Sequence, residues 1–336
     1  MDPDTAARVG RVPHGGCSEP EVIDFSANVN PRTPPGVADV YGDALARSRR
    51  YPDDAYPEYR SAAGEYVDCP PEGVVPTPGG LAGIRLAIAT TVSRDESVLV
   101  PTPSFGEYAR EVHLQGADVE FVAHDEVCES DPADHAMAIV CNPNNPTGTA
   151  YESGDLLDFL ARCREADTAL LVDEAFLGFT DRHSMAGRVG AVVARSLTKL
   201  FGLPGLRAGF LVATGERRER LENARRAWNL GTPAATVGAH CMAQYGFVEQ
   251  TRRRVRTERA RMAETLESEY NVVPSEAPFL LLDTGARSVD RVLDRVREGD
   301  LAVRDARSFR GLDSHVRVAV RTPEENDRLI EVLLDV

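Results

Sequence analysis

The hydrophobic positions of this chain fall into short unbroken runs, each closed by a polar loop rich in glycine or proline. ESVLVPTPSFGEY, AMAIVCNPNNPTG, ALLVDEAFLGF and GAVVARSLTKLFGLPGLRAGFLVA show the pattern. Runs that are apolar at consecutive rather than alternate positions predict strands buried on both faces, as in a parallel sheet. Stretches of helical periodicity separate them, residues 80–91 and 152–165 among them. Strand and helix alternating in this way predict an α/β fold with a mostly parallel, doubly wound sheet. Ligands of such sheets sit beyond the carboxyl ends of the strands. Each polar cluster just quoted stands at such an end, so the clusters are expected to converge.

Beyond Glu216 the pattern changes. Arg- and Glu-rich helical sequence runs to about Tyr270, and strand-like PFLLLDTG, LAVRDA and HVRVAVR follow, interrupted by the helical SVDRVLDRVREG. The final helix opens with Thr322, Pro323 and Glu325, a capping arrangement with proline in the first turn. The expected organisation is an irregular, Pro- and Gly-rich segment over residues 1–40 that packs across the site or the small domain, a large domain over 41–230, and a smaller α+β domain over 231–336.

A chain of 336 residues with 42% apolar content builds a large core. No run approaches the roughly 20 apolar residues of a membrane span, and the start lacks the apolar segment of a signal peptide, which predicts a cytoplasmic protein without a membrane partner. The six cysteines show no CxxC spacing and read as reduced, mostly buried thiols rather than a metal site. A formal net charge of −15 argues against nucleic acid as a partner.

The positive charge is unevenly supplied: of 38 lysines and arginines, one is lysine, Lys199. An acidic excess with lysine nearly eliminated resembles the composition of proteins from salt-loving microbes. Arginine could replace lysine wherever only charge was needed. The surviving lysine therefore points to chemistry that needs an amine.

Pyridoxal phosphate needs a lysine for an imine, an acid beside the pyridine nitrogen, a donor to the ring oxygen, a phosphate cradle and a flat group over the ring. Ser196-Leu197-Thr198-Lys199 with Arg207 eight residues later puts a hydroxyl and a guanidinium near an amine at a strand end. Asp173, closing LLVD, is placed to pair with a pyridinium nitrogen, although strand-end aspartates also cap turns. Asn145 in NNPTG can donate to the ring oxygen, or form an ordinary Asn-Pro turn. Phe105 in PSFGEY can stack on the ring, or fill a core.

From about Asp24 to Asn326 the chain resembles a fold-type I pyridoxal-phosphate enzyme of the class I/II aminotransferase superfamily, through PSFGEY, CNPNNPTG, VDEAF, SLTK and GLPGLRAGF. The resemblance implies that Lys199 is the imine lysine, Asp173 the nitrogen partner, Asn145 the ring-oxygen donor, and Ser196 and Arg207 phosphate ligands. It also implies a homodimer in which Tyr51, of RYPDD, reaches the phosphate of the neighbouring subunit's cofactor. Where the family's phosphate loop reads Asn-Gly, a small residue and often serine, this chain has Pro78-Gly79-Gly80-Leu81-Ala82. The amides of Leu81 and Ala82 at a helix start can still hold phosphate, without the hydroxyl.

Two branches of the superfamily compete: histidinol-phosphate aminotransferase and the threonine-phosphate decarboxylase of cobalamin biosynthesis. HGG, DFSANVNP, RYPDD, RDARSFRGL and RVAVR resemble the decarboxylase more closely. Phe176 stands where the aminotransferases commonly carry a tyrosine that contacts the ring oxygen. Both branches take a small phosphorylated substrate, and Arg304 and Arg317 match positions that face it, with Arg321 a weaker candidate and His14 placed to close over the substrate phosphate. An arginine clamped on the carboxylate would stabilise the ground state against its loss, so at least one of Arg304 and Arg317 is expected to serve the phosphate. The expected activity is decarboxylation of L-threonine O-3-phosphate, with transamination of histidinol phosphate as the alternative.

Overall fold

The computed structural model describes residues 1–336. Thirteen strands follow in chain order: β1 Ile23–Asp24, β2 Val74–Thr77, β3 Ser97–Thr102, β4 Asp118–Ala123, β5 Met137–Cys141, β6 Ala169–Asp173, β7 Ala191–Ser196, β8 Gly209–Val212, β9 Asn271–Val273, β10 Phe279–Asp283, β11 Leu301–Ala302, β12 Arg304–Asp305 and β13 His315–Ala319. The principal helices are α1 Pro3–Ala6, α2 Val37–Arg47, α3 Pro57–Val67, α4 Gly80–Thr91, α5 Glu107–Leu114, α6 Ser153–Glu165, α7 Gly215–Ala224, α8 Thr232–Met242, α9 Tyr245–Leu266, α10 Val289–Glu298 and α11 Pro323–Leu334.

Seven strands form the central sheet in the order β2-β8-β7-β6-β5-β3-β4. β8 runs antiparallel to both its neighbours, and the other pairings are parallel. The unbroken apolar runs explain its place in the molecule. Every residue of β5 and of β6 is buried, because helices cover both faces of the sheet and two hydrophobic clusters fill the space beneath them. From β3 the chain goes outward to edge strand β4 and then crosses back to β5 on the other side, so the order reverses between β3 and β5. A crevice opens at such a reversal, beyond the carboxyl ends of the flanking strands.

A second sheet, β12-β13-β10-β9, is antiparallel. The N-terminal segment joins this part of the molecule through β1, which pairs in parallel with β11, Ile23 opposite Leu301. Pairing within the small domain fixes the path of the first residues back across the crevice. α11 carries a full capping box, with Thr322 and Glu325 reciprocally bonded, worth about 1 kcal/mol. The helical sequence between Glu216 and Tyr270 forms three helices, α7, α8 and α9. Pro233 forces one new start because it has no N–H to donate and sits in the first turn of α8, and α9 restarts after Gln244 leaves helical geometry. All six cysteines are free, four of them buried. No helix is long and apolar enough to cross a membrane.

Candidate active site

A cavity of about 320 Å³ opens at the carboxyl end of the central sheet. Lys199 stands on its floor, three residues past the end of β7, and its Nζ donates to the carbonyl of Ala27 at 3.0 Å. Burial pushes the amine down to about 8, helped by the positive charges of Arg317 and Arg207 and opposed by Asp24. An amine with that proton affinity is partly neutral near physiological pH and can act as a nucleophile, unlike an exposed lysine.

Asp173 closes β6 and is buried. Its Oδ1 accepts from the Ala175 amide at 3.0 Å and its Oδ2 from the Tyr108 hydroxyl at 2.6 Å. Burial raises its proton affinity, and the hydroxyl and amide donors oppose that rise. Asn145, following β5, and Phe105, following β3, flank the strand-order reversal and line the same cavity. Phe105 meets the His14 ring at 5.7 Å between centroids and the edge of Tyr108 at 5.6 Å. Phe176 lines the cavity as a bare ring, edge-on to Phe279 at 5.2 Å.

One end of the cavity is a cradle for an anion. The amides of Gly80, Leu81 and Ala82 open α4 and donate to no acceptor in the fold, as expected of a first helical turn. Ser196 Oγ lies beside Thr198 Oγ1 at 2.9 Å, and Arg207, at φ +54°, donates only to the carbonyl of Pro204. Glycine is required here by close approach. A Cβ on Gly79, whose φ is +92°, would lie 2.6 Å from Arg207 Nη2, and one on Gly80 would lie 3.1 Å from Ser196 Cβ. Unpaired amides at a helix start, a hydroxyl and an uncompensated guanidinium suit a phosphate. The ring-sized space between this cradle and Asp173, with Lys199 beside it, fits pyridoxal phosphate. Leu81 lines the cavity whereas Ala82 does not, so Ala82 contributes at most its amide.

The opposite wall comes from the small domain. Arg304 on β12 and Arg317 on β13 are directly paired across the antiparallel ladder, so both side chains rise from one face. Both are buried and neither meets a carboxylate. Arg304 donates to the carbonyl of Pro13 and to Ser308 Oγ, each at 2.7 Å. Arg317 donates to Asn145 Oδ1 and, at 2.7 Å, to the carbonyl of Ser26. Burial and the neighbouring Arg304 push Arg317 down to about 9. Two buried cations without a counter-ion are costly, and an anionic ligand between them would relieve that cost.

The N-terminal segment forms the near wall through Val12, Pro13, His14 and Gly15. His14 Nε2 is 2.9 Å from the buried Glu107 carboxylate. Two expected residues lie elsewhere. Arg321 bonds the carbonyl of Asp24 and pairs with Glu325 outside the cavity. Tyr51 is 78% exposed and stacks on Trp228 at 4.5 Å. Sequence reasoning overlooked Tyr108 and Ser308. Tyr108 had a readable signal, three residues after Phe105 at the start of a helix and so on the same face.

The family profile described as "Aminotransferase class I and II" matches residues 20–333. The chain is 29% identical over 330 residues to histidinol-phosphate aminotransferase 2 of Archaeoglobus fulgidus, covering 94% of this chain and 93% of the relative. It is also 29% identical over 342 residues to the threonine-phosphate decarboxylase of Salmonella typhimurium, covering 96% and 93%. The fold superposes on the crystal structure of L-threonine-O-3-phosphate decarboxylase from Porphyromonas gingivalis with a TM-score of 0.85 at 24% identity, covering 94% of this chain and 99% of that one. The cavity's single lysine, its buried aspartate and its anion cradle, joined to a profile that spans nearly the whole sequence, place the chain in the class I and II aminotransferase family of pyridoxal-phosphate enzymes.

Proposed function

We propose that this chain is a lyase that removes carbon dioxide from L-threonine O-3-phosphate, giving 1-amino-2-propanol phosphate for cobalamin biosynthesis. The observation that carries the substrate class is the Arg304–Arg317 pair, buried side by side with no carboxylate partner and facing the cavity that holds Lys199. A substrate phosphate supplies the missing negative charge.

When bound, pyridoxal phosphate supplies a conjugated ring that accepts the electron pair of a bond broken at the substrate α-carbon. The cradle of α4, Ser196 and Arg207 would hold its phosphate, Asp173 would serve its ring nitrogen, and Asn145 its ring oxygen. Phe105 would supply a flat apolar surface for the ring. Arg304 and Ser308, tied to the N-terminal segment through Pro13, hold the substrate phosphate, and His14 on the same segment shields it from water. Leaving the substrate carboxylate without an arginine clamp would favour its loss. Lys199 Nζ, whose proton affinity burial lowers to about 8, would be the group to return a proton to the substrate carbon.

Phe176 supports decarboxylation over amino transfer, because no hydroxyl at that position assists Asn145 at the ring oxygen. The second reading, transamination of histidinol phosphate, has its own support in the equal 29% identity to a relative of that name. Incubation with each substrate separates them. An amino-alcohol phosphate formed from L-threonine O-3-phosphate without any 2-oxo acid supports the lyase, and transfer from histidinol phosphate to 2-oxoglutarate as the sole reaction overturns it.

We further propose a homodimer with shared sites. Tyr51 lies outside its own cavity, exposed and braced on Trp228, which suits it to reach into a second copy.

A further inference from the structure

Tyr108 is fully buried at the first turn of α5, and its hydroxyl donates to Asp173 Oδ2 at 2.6 Å. The other carboxylate oxygen is occupied by the Ala175 amide. No arginine, lysine or histidine pairs with Asp173. Arg195, whose charge also lowers the proton affinity of Asp173, is bound instead to Glu174 at 2.9 Å. The phenol is therefore the one side chain hydrogen-bonded to this carboxylate, and Tyr108, Asp173 and Cys141 line the cavity together.

We propose that Tyr108 is a positioning residue that sets where the proton lies between Asp173 and the cofactor's ring nitrogen. The inference rests on the reading that Asp173 faces that nitrogen. A carboxylate buried without donors becomes more basic and draws a shared proton to itself. A donated phenol hydrogen bond stabilises the ionised carboxylate and leaves the proton on nitrogen, where it strengthens the ring as an electron acceptor. The same bond fixes the carboxylate plane, because the Ala175 amide and the Tyr108 hydroxyl hold its two oxygens from two different elements. Burial raises the proton affinity of both partners, so the phenol stays protonated and remains a donor across the working pH range.

The test uses holoenzyme reconstituted with pyridoxal phosphate labelled with ¹⁵N in the ring. In the wild type the ring-nitrogen resonance lies at the protonated end of the pyridine range. Tyr108→Phe moves it toward the neutral-pyridine value and lowers turnover roughly ten-fold with KM little changed, the scale of one hydrogen bond to a charged group. Replacing Tyr108 by 3-fluorotyrosine, a more acidic phenol of nearly the same shape, keeps the resonance at the protonated end. That variant also guards against a folding defect in Tyr108→Phe. A resonance unmoved in Tyr108→Phe while Asp173→Asn moves it overturns the role of Tyr108 and leaves Asp173 in place. A resonance unmoved in Asp173→Asn overturns the reading on which the inference stands, and the inference with it.

Discussion

Arg317 donates a hydrogen bond to Asn145 Oδ1, joining a strand of the small domain to the loop that follows β5 of the large one. The guanidinium is stacked between Phe279 and Phe309, 5.1 and 5.6 Å from their centroids. Any anion that binds Arg317 competes with Asn145 Oδ1 for the guanidinium donors and so frees or reorients the amide. In the proposed function this one contact would link substrate binding to the donor at the ring oxygen. Arg317→Ala should remove an anion partner and this link together. KM for the phosphorylated substrate should rise roughly 10- to 100-fold, with a shift in the absorption maximum of the bound cofactor. Steady-state kinetics alongside visible spectra check both.

Arg304 acts from the other side of the same wall. Arg304→Ala frees Ser308 and the carbonyl of Pro13 and loosens the N-terminal segment. The expected result is a higher KM with faster proteolytic cleavage before Ser26, read by limited proteolysis of the wild type and the variant side by side.

Lys199 gives a prediction with a definite pH direction. Its folded-state value of about 8 lies below the ordinary 10.5, so the folded apoprotein disfavours the charged form. Between those two values the unfolded chain binds the extra proton, so this residue's contribution makes the apoprotein more stable as pH rises from 8 toward 10.5. In Lys199→Met that gain should vanish from thermal unfolding curves recorded across the window. The rate at which the wild-type apoprotein takes up pyridoxal phosphate should climb through pH 8 as the neutral amine accumulates. Lys199→Arg should keep the fold, form no imine band, and lose roughly 10³-fold in turnover.

Much of this site was legible in the sequence because its chemistry sits at strand ends. The run LLVD places Asp173 at the end of a buried strand, and NPNNPTG and PSFGEY stop their strands with residues that cannot continue them. Helix α4 begins at Gly80 because two glycines admit Arg207 and Ser196 against its first turn. Tertiary pairings were not legible. His14 meets Glu107 across 93 residues of sequence, and Arg304 faces Arg317 through a strand register that no local pattern specifies. Arg321 shares a motif with Arg317, yet bonds outside the cavity.

The exposed Tyr51–Trp228 stack predicts a dependence on assembly. In the proposed dimer, Tyr51→Ala should leave the oligomeric state by light scattering intact, yet weaken cofactor retention roughly ten-fold, the scale of one hydrogen bond to a charged group. Retention is measured by cofactor fluorescence in the filtrate during dilution. A monomeric wild type would remove the basis for this effect.

The central claim is tested most directly with L-threonine O-3-phosphate labelled in its carboxyl carbon, incubated with holoenzyme and no amino acceptor. The account predicts stoichiometric release of labelled carbon dioxide with 1-amino-2-propanol phosphate as the other product. Retention of the label, with amino transfer appearing only when 2-oxoglutarate is supplied, would contradict it.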